Sequence, residues 1–138
     1  MPYPEMLVAP MRAELTRLGV QELKTAQEVE QTLGDTQEAT LLVVNSVCGC
    51  AARNARPAVA MALQGDKKPA KLATVFAGQD TEATQVARGY LHGYAPSSPS
   101  IALLKDGDVA FMLERHQIEG RSADQIAADL KHAFEQYC

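Results

Sequence analysis

The chain has 138 residues, a formal net charge of −4 and a pI near 5.3. Apolar residues make up 46% and charged residues 22%, which is globular composition and excludes a disordered chain. The length suits one core and is cramped for two, no apolar run nears the roughly 20 residues of a membrane span, and the acidic balance disfavours nucleic acid and anionic membranes as partners. Residues 1–138 are therefore read as a single domain.

Met11, Leu15 and Leu18 fall on one helical face, with Pro10 suited to the first turn and Gly19 to the end. A short extended piece follows at Val20 to Leu23. Thr25 and Glu28 have the spacing of a capping box, opening a helix that carries Val29 and Leu33 and stops at Gly34. Leu41-Leu42-Val43-Val44 is a continuous apolar run with two β-branched residues, the pattern of a strand buried on both faces. Ala51 to Leu63 reads as a helix closed by Gly65, with Pro57 inside it as an expected kink. Lys71 to Phe76 reads as a strand, and Asp80 or Thr81 caps a helix expected to run to His92 and end at Gly93.

Pro96 to Ser100 is a breaker-rich loop. Ile101 to Lys105 and Val109 to Leu113 are strands joined by Asp106-Gly107, a two-residue hairpin signal. Ser122 and Gln125 form a second capping box, opening a helix with Ile126, Leu130 and Phe134 on one face. The order is α-(β)-α-β-α-β-α-β-β-α, an α/β sandwich whose central β-sheet is mixed and flanked by helices. A central strand ending in paired cysteines, then a helix, then a hairpin preceded by proline, is the layout of a thioredoxin-like domain.

The three cysteines are Cys48, Cys50 and Cys138, too few and too odd for a secreted disulfide scaffold. The segment MPYPEMLVAPMR has no basic start before an apolar stretch, so no secretory signal is read and a cytoplasmic setting is expected. Cys48-Gly49-Cys50 then points to redox chemistry or metal binding. A cysteine reacts as its thiolate, and a helix N-terminus lowers its pKa through unpaired N–H groups and the macrodipole. Cys48, just before the helix, is expected to be the more exposed and more ionised, with Cys50 in the first turn. Arg53 and Arg56 either add positive potential or are simply solvated.

A disulfide across two residues closes a small ring and is expected to meet the preferred Cα separation and torsion poorly. Strained disulfides are easily reduced, so the pair is expected to favour isomerisation, oxidation or mixed-disulfide exchange. In exchange, Cys48 attacks and Cys50, or a second small thiol, resolves. A metal site needs further ligands, and Cys138, His92, His116 and His132 have no tight spacing with the pair. No metal is therefore assigned. Cys138 reads as an inert terminus, and His116 as structural, with a site role as the alternative.

Val43 to Ala52 around the cysteines, with Arg56-Pro57, resembles the bacilliredoxin family. Tyr3-Pro4, Pro10-Met11-Arg12, Ser97-Ser98-Pro99-Ser100, Lys105-Asp106-Gly107, Arg115-His116, Ile118-Glu119-Gly120 and Ala133 to Cys138 extend the likeness over almost the whole chain. The resemblance implies a thioredoxin-like fold and thiol–disulfide exchange, with Cys48 as nucleophile and Cys50 as resolving thiol. It implies a cis peptide at Pro99, with Ser98 beside it, facing the cysteines and contacting an extended substrate segment. It implies action on proteins capped by bacillithiol, a cysteine–glucosamine–malate thiol serving as co-substrate with no other cofactor, or disulfide isomerase activity. Arg53 or Arg56 is then expected to pair with the malate carboxylates.

Overall fold

The structure is a computed structural model and describes residues 2–138. Five strands form one mixed sheet: β1 (Gln21–Glu22), β2 (Thr40–Asn45), β3 (Lys71–Phe76), β4 (Ser100–Lys105) and β5 (Asp108–Leu113), in the order β1-β3-β2-β4-β5. β1 and β2 run parallel to β3, while β4 runs antiparallel to both β2 and β5. The helices are α1 (Glu5–Thr16), α2 (Ala26–Leu33), α3 (Arg56–Ala62), α4 (Thr81–Arg88), α5 (Arg115–Ile118) and α6 (Ala123–Tyr137).

All six residues of β2 are buried, as its unbroken apolar run predicts. Because side chains alternate along a strand, that run feeds two cores. Leu41 and Val43 join Leu15 of α1, Val59 of α3, and Ile126, Leu130 and Phe134 of α6. Leu42 and Val44 join Val29 and Leu33 of α2, and Ala83 and Ala87 of α4. The result is a three-layer sandwich with α1, α3 and α6 on one face and α2 and α4 on the other.

Local chemistry explains several boundaries. Both capping boxes form, at Thr25 with Glu28 and at Ser122 with Gln125. The hairpin turn holds Asp106 at φ 54° and Gly107 at φ 82°, the two positive angles of the tight turn that matches strand twist. Pro57 sits at the start of α3, and the turn before it, Ala51–Ala55, is π-helical. The expected kink is thus a widened turn, which gives room to a ring lacking an N–H donor and crowding the carbonyl one turn back.

Three expectations are corrected. Pro10 lies within α1, which begins earlier, at Glu5. α4 stops at Arg88 rather than His92, because Gly89, Tyr90 and Leu91 turn back to carbonyls only three residues earlier. α5 is an additional one-turn helix, in which the Gln117 side chain accepts from the Glu114 N–H at 3.0 Å.

Replacing Ser122 by Ala removes the cap of α6, which carries Ile126, Leu130 and Phe134 into the core. The expected loss is about 1 kcal/mol. Urea unfolding should show a lower midpoint at unchanged slope.

Candidate active site

β2 ends at Asn45, and the chain turns into the cysteine segment under hydrogen-bond control. The Cys48 N–H donates to Ser46 Oγ at 3.2 Å. The Cys48 carbonyl accepts from the N–H groups of Ala51 and Ala52 at 3.0 and 3.3 Å. The pair therefore stands at the N-terminal end of a helical stretch that continues through the π turn into α3. The Cys48 and Cys50 sulfurs are joined as a disulfide. Their Cα atoms are 5.5 Å apart, within the usual span of about 4.4–6.8 Å, so the expected misfit in Cα separation is absent. Both cysteines are half-buried.

The antiparallel register places Ser100 opposite Val44, which brings the start of β4 beside the end of β2. Pro99 is thereby set next to the cysteine segment; it is buried, and the Ser98–Pro99 bond is cis. A cavity of about 470 Å³ opens on one side, lined by Cys48, Cys50, Arg53, Asn54, Arg115 and Glu119. A second, of about 310 Å³, includes Tyr3, Ser46, Cys48, Arg88, Ser98 and Arg115. Cys48 and Arg115 belong to both, whereas Cys50 lines the first alone of the two.

Arg53 is exposed and folds back over Gly49, where a Cβ would stand 2.7 Å from its Nη2. Gly49 thus leaves room for the Arg53 guanidinium. Arg56 departs from expectation: it is 3% exposed and its guanidinium points inward. Nη1 donates to Asn45 Oδ1 at 2.8 Å and to the Ser46 carbonyl at 2.9 Å. Nε lies 3.1 Å from Glu14 Oε1 without the alignment of a hydrogen bond. Arg56 is placed to fix the strand end, not to meet a substrate carboxylate beside the cysteines.

In sequence, Arg115 enters only through the Arg115-His116 stretch that resembles the family. In the fold its Nη1 donates to the Ser98 carbonyl at 3.3 Å, and its Nε pairs with Glu119 at 2.8 Å. The one-turn helix α5 carries it, and one turn has too little periodicity to be seen in sequence. His116 is exposed and lines neither cavity. Cys138 sits with Lys105 and Tyr137, at the end of β4 away from Pro99. Among the described residues no group of three or more His, Cys, Asp or Glu is placed to hold a metal ion.

A thioredoxin of Malassezia sympodialis (Mala s 13) superposes with a TM-score of 0.55 at 16% identity, covering 86% of this chain and 90% of its own; that likeness shows the fold. Fold, cysteine pair and relatives define a class, the thioredoxin-like thiol–disulfide oxidoreductases. Residues 3–138 match the family described as Disulphide isomerase. A bacilliredoxin of Salinibacter ruber is 57% identical across the whole of this chain and 82% of the relative. Bacilliredoxins of Koribacter versatilis and Bacillus licheniformis are 53% and 52% identical, each over 99% of this chain and 94% and 95% of their own lengths. The chain belongs to the bacilliredoxin family.

Replacing Arg56 by Met keeps most of the apolar stem but orphans the Ser46 carbonyl and removes one partner of Asn45. The expected cost is about 2–4 kcal/mol from lost buried hydrogen bonds to a charged group. Chemical denaturation measures it, and Arg56→Lys should recover little, since a single ammonium does not reproduce the planar fork.

Proposed function

We propose that the protein reduces mixed disulfides between proteins and bacillithiol, with Cys48 as nucleophile and Cys50 as resolving thiol. The observation that carries this reading is the position of Cys48: it lies at the helix start, shares a cavity with Ser98, and forms part of the common wall of two cavities. The helix N-terminus favours negative charge there, and thiolate is the attacking species. The relatives named bacilliredoxin support bacillithiol as the capping thiol and co-substrate.

The reaction balances as two exchanges. Cys48 thiolate attacks the bacillithiol sulfur; a sulfur–sulfur bond forms to Cys48, and the client leaves as thiolate and takes a proton. Cys50 thiolate then attacks the Cys48 sulfur, expelling bacillithiol thiolate and closing the Cys48–Cys50 disulfide. The client disulfide is reduced by two electrons and the pair is oxidised by two. An external thiol reductant, in a cytoplasmic setting, returns the pair to its dithiol form. Ser98 and Pro99 border an extended client segment, and Arg53 pairs with the malate carboxylates in the Cys50-side cavity.

The test is single-turnover release of bacillithiol from a capped client, followed by intact mass. Wild type should release it, Cys48→Ser should not, and Cys50→Ser should trap bacillithiol on Cys48. Absence of both release and adduct, with Cys48 readily alkylated, would defeat the reading. The matching family's description supports isomerisation as the second reading, and a scrambled-disulfide substrate would then be turned over instead.

Arg53 is exposed, so its charge acts through solvent. Arg53→Glu should slow release from the bacillithiol-capped client by about threefold, with the difference shrinking as salt rises. Stopped assays at low and high ionic strength measure it.

A further inference from the structure

The arginines of the fold differ in how their charge is met. Arg12 is buried against Glu5, Glu22 and Asp80, Arg56 faces Glu14, Arg115 pairs with Glu119, and Arg121 pairs with Asp129. Like the exposed Arg53, the partly buried Arg88 has no carboxylate within ion-pair distance among the described residues. Its Nη2 reaches the Ser97 carbonyl at 3.5 Å, and its Nε is buried without a hydrogen-bond partner. It closes α4 and lines the Pro99-side cavity together with Cys48, Ser98 and Arg115; no Asp or Glu lines that cavity. The adjoining cavity between Arg88, Thr81, Gln85 and Pro96 has no acidic wall either.

We propose that the Pro99-side cavity is a carboxylate-binding subsite of the thiol–disulfide exchange site, with Arg88 as its anion-binding residue and Arg115 on its shared wall. The proposal rests on Cys48 being the attacking thiol and adds a residue that selects what it attacks. A partly buried cation lacking a counter-ion is costly, and a carboxylate entering the cavity supplies the charge and a charge-assisted hydrogen bond to the guanidinium. Burial lowers the Arg88 pKa from its ordinary value, yet a guanidinium stays charged at neutral pH. At about 310 Å³ the cavity is small for a ligand site, which suits one acidic side chain or one small acid. A mixed disulfide presents two halves to Cys48, and either the capping thiol or an acidic residue of the client can bring the carboxylate.

Four substrates separate these sources. Client peptides with Asp or Asn next to the cysteine are each capped by mercaptosuccinate or by thioglycerol. Wild type should prefer the carboxylate-bearing member of one comparison by about tenfold, the scale of a charge-assisted hydrogen bond. In Arg88→Gln that ratio should fall to within about twofold, and Arg88→Lys should restore part of it. A preference between caps places the carboxylate on the small thiol; a preference between peptides places it on the client. Rate ratios unchanged in Arg88→Gln overturn the proposal, whatever happens to absolute rates.

A binding measurement stands apart from turnover. Succinate should slow alkylation of reduced Cys48 in wild type beyond sodium chloride of equal ionic strength, while succinamide should not. Equal effects of succinate and chloride would sink the subsite even if the variants failed to fold. Wild type inactive on all four substrates, but protected by succinate, would instead count against mixed-disulfide reduction and leave the carboxylate site standing.

Discussion

The guanidinium of Arg56 holds the end of β2 to the start of α3. It donates to Asn45 Oδ1 and the Ser46 carbonyl, and Asn45 in turn accepts from the Ser46 N–H and donates to the Met11 carbonyl. One buried ion thereby ties the central strand, α1 and α3 into a frame. The stretch from Val47 to Ala55 spans that frame, and its two ends are not free to move apart. Burying a charge is costly unless it is paired and hydrogen-bonded, so the frame is stable only as a complete set. The position of the redox pair follows from this set and from the antiparallel register that brings Pro99 alongside.

A second buried ion performs the same service on the opposite flank. Arg12 meets Glu5, Glu22 and Asp80, with its guanidinium 5.3 Å from the centre of the Phe76 ring. These contacts raise its pKa, the hydrogen bond to Asp80 contributing most. α1 is thus clamped to the sheet edge and to the start of α4 by charge, while Leu15 anchors it in the core. Two structural arginines are neutralised inside the fold. Arg53 and Arg88, the cations left without carboxylates beside the cysteines, sit on different sides of Cys48.

Much of the architecture was legible because several signals were local and unambiguous. The Leu41 to Val44 run is continuous, apolar and holds two β-branched residues, the pattern of a strand covered on both faces. Thr25-Glu28 and Ser122-Gln125 act within one turn, so their sequence spacing is their structure. Asp106-Gly107 encodes its own backbone angles. The cysteine segment was legible for the same reason, and full-length likeness to bacilliredoxins supports the family reading.

The misses share a different cause. Whether an arginine faces solvent depends on what lies across the core, and nothing near Arg56 in sequence announces Glu14 or Asn45. Arg88 stood inside an expected helix, and its place beside Ser97 arises only because that helix ends there and the chain folds back to it. α5 is a single turn, too short for periodicity, though it delivers Arg115 to the site. Pro10 was given the position proline favours by propensity, whereas packing of Val8 and Leu15 extends the helix past it at an exposed site.

The sheet's outer strands bear on how such a protein handles extended chains. An unpaired strand edge is a template for any polypeptide with free backbone groups. Here one border is β1, two residues long, and the other is β5, whose pairing with β4 is interrupted by an irregularity between Leu103 and Leu104. Short or bulged borders resist strand addition. Main-chain adhesion along the flanks is thereby discouraged, which leaves the cysteine end as the part of the sheet not guarded in this way.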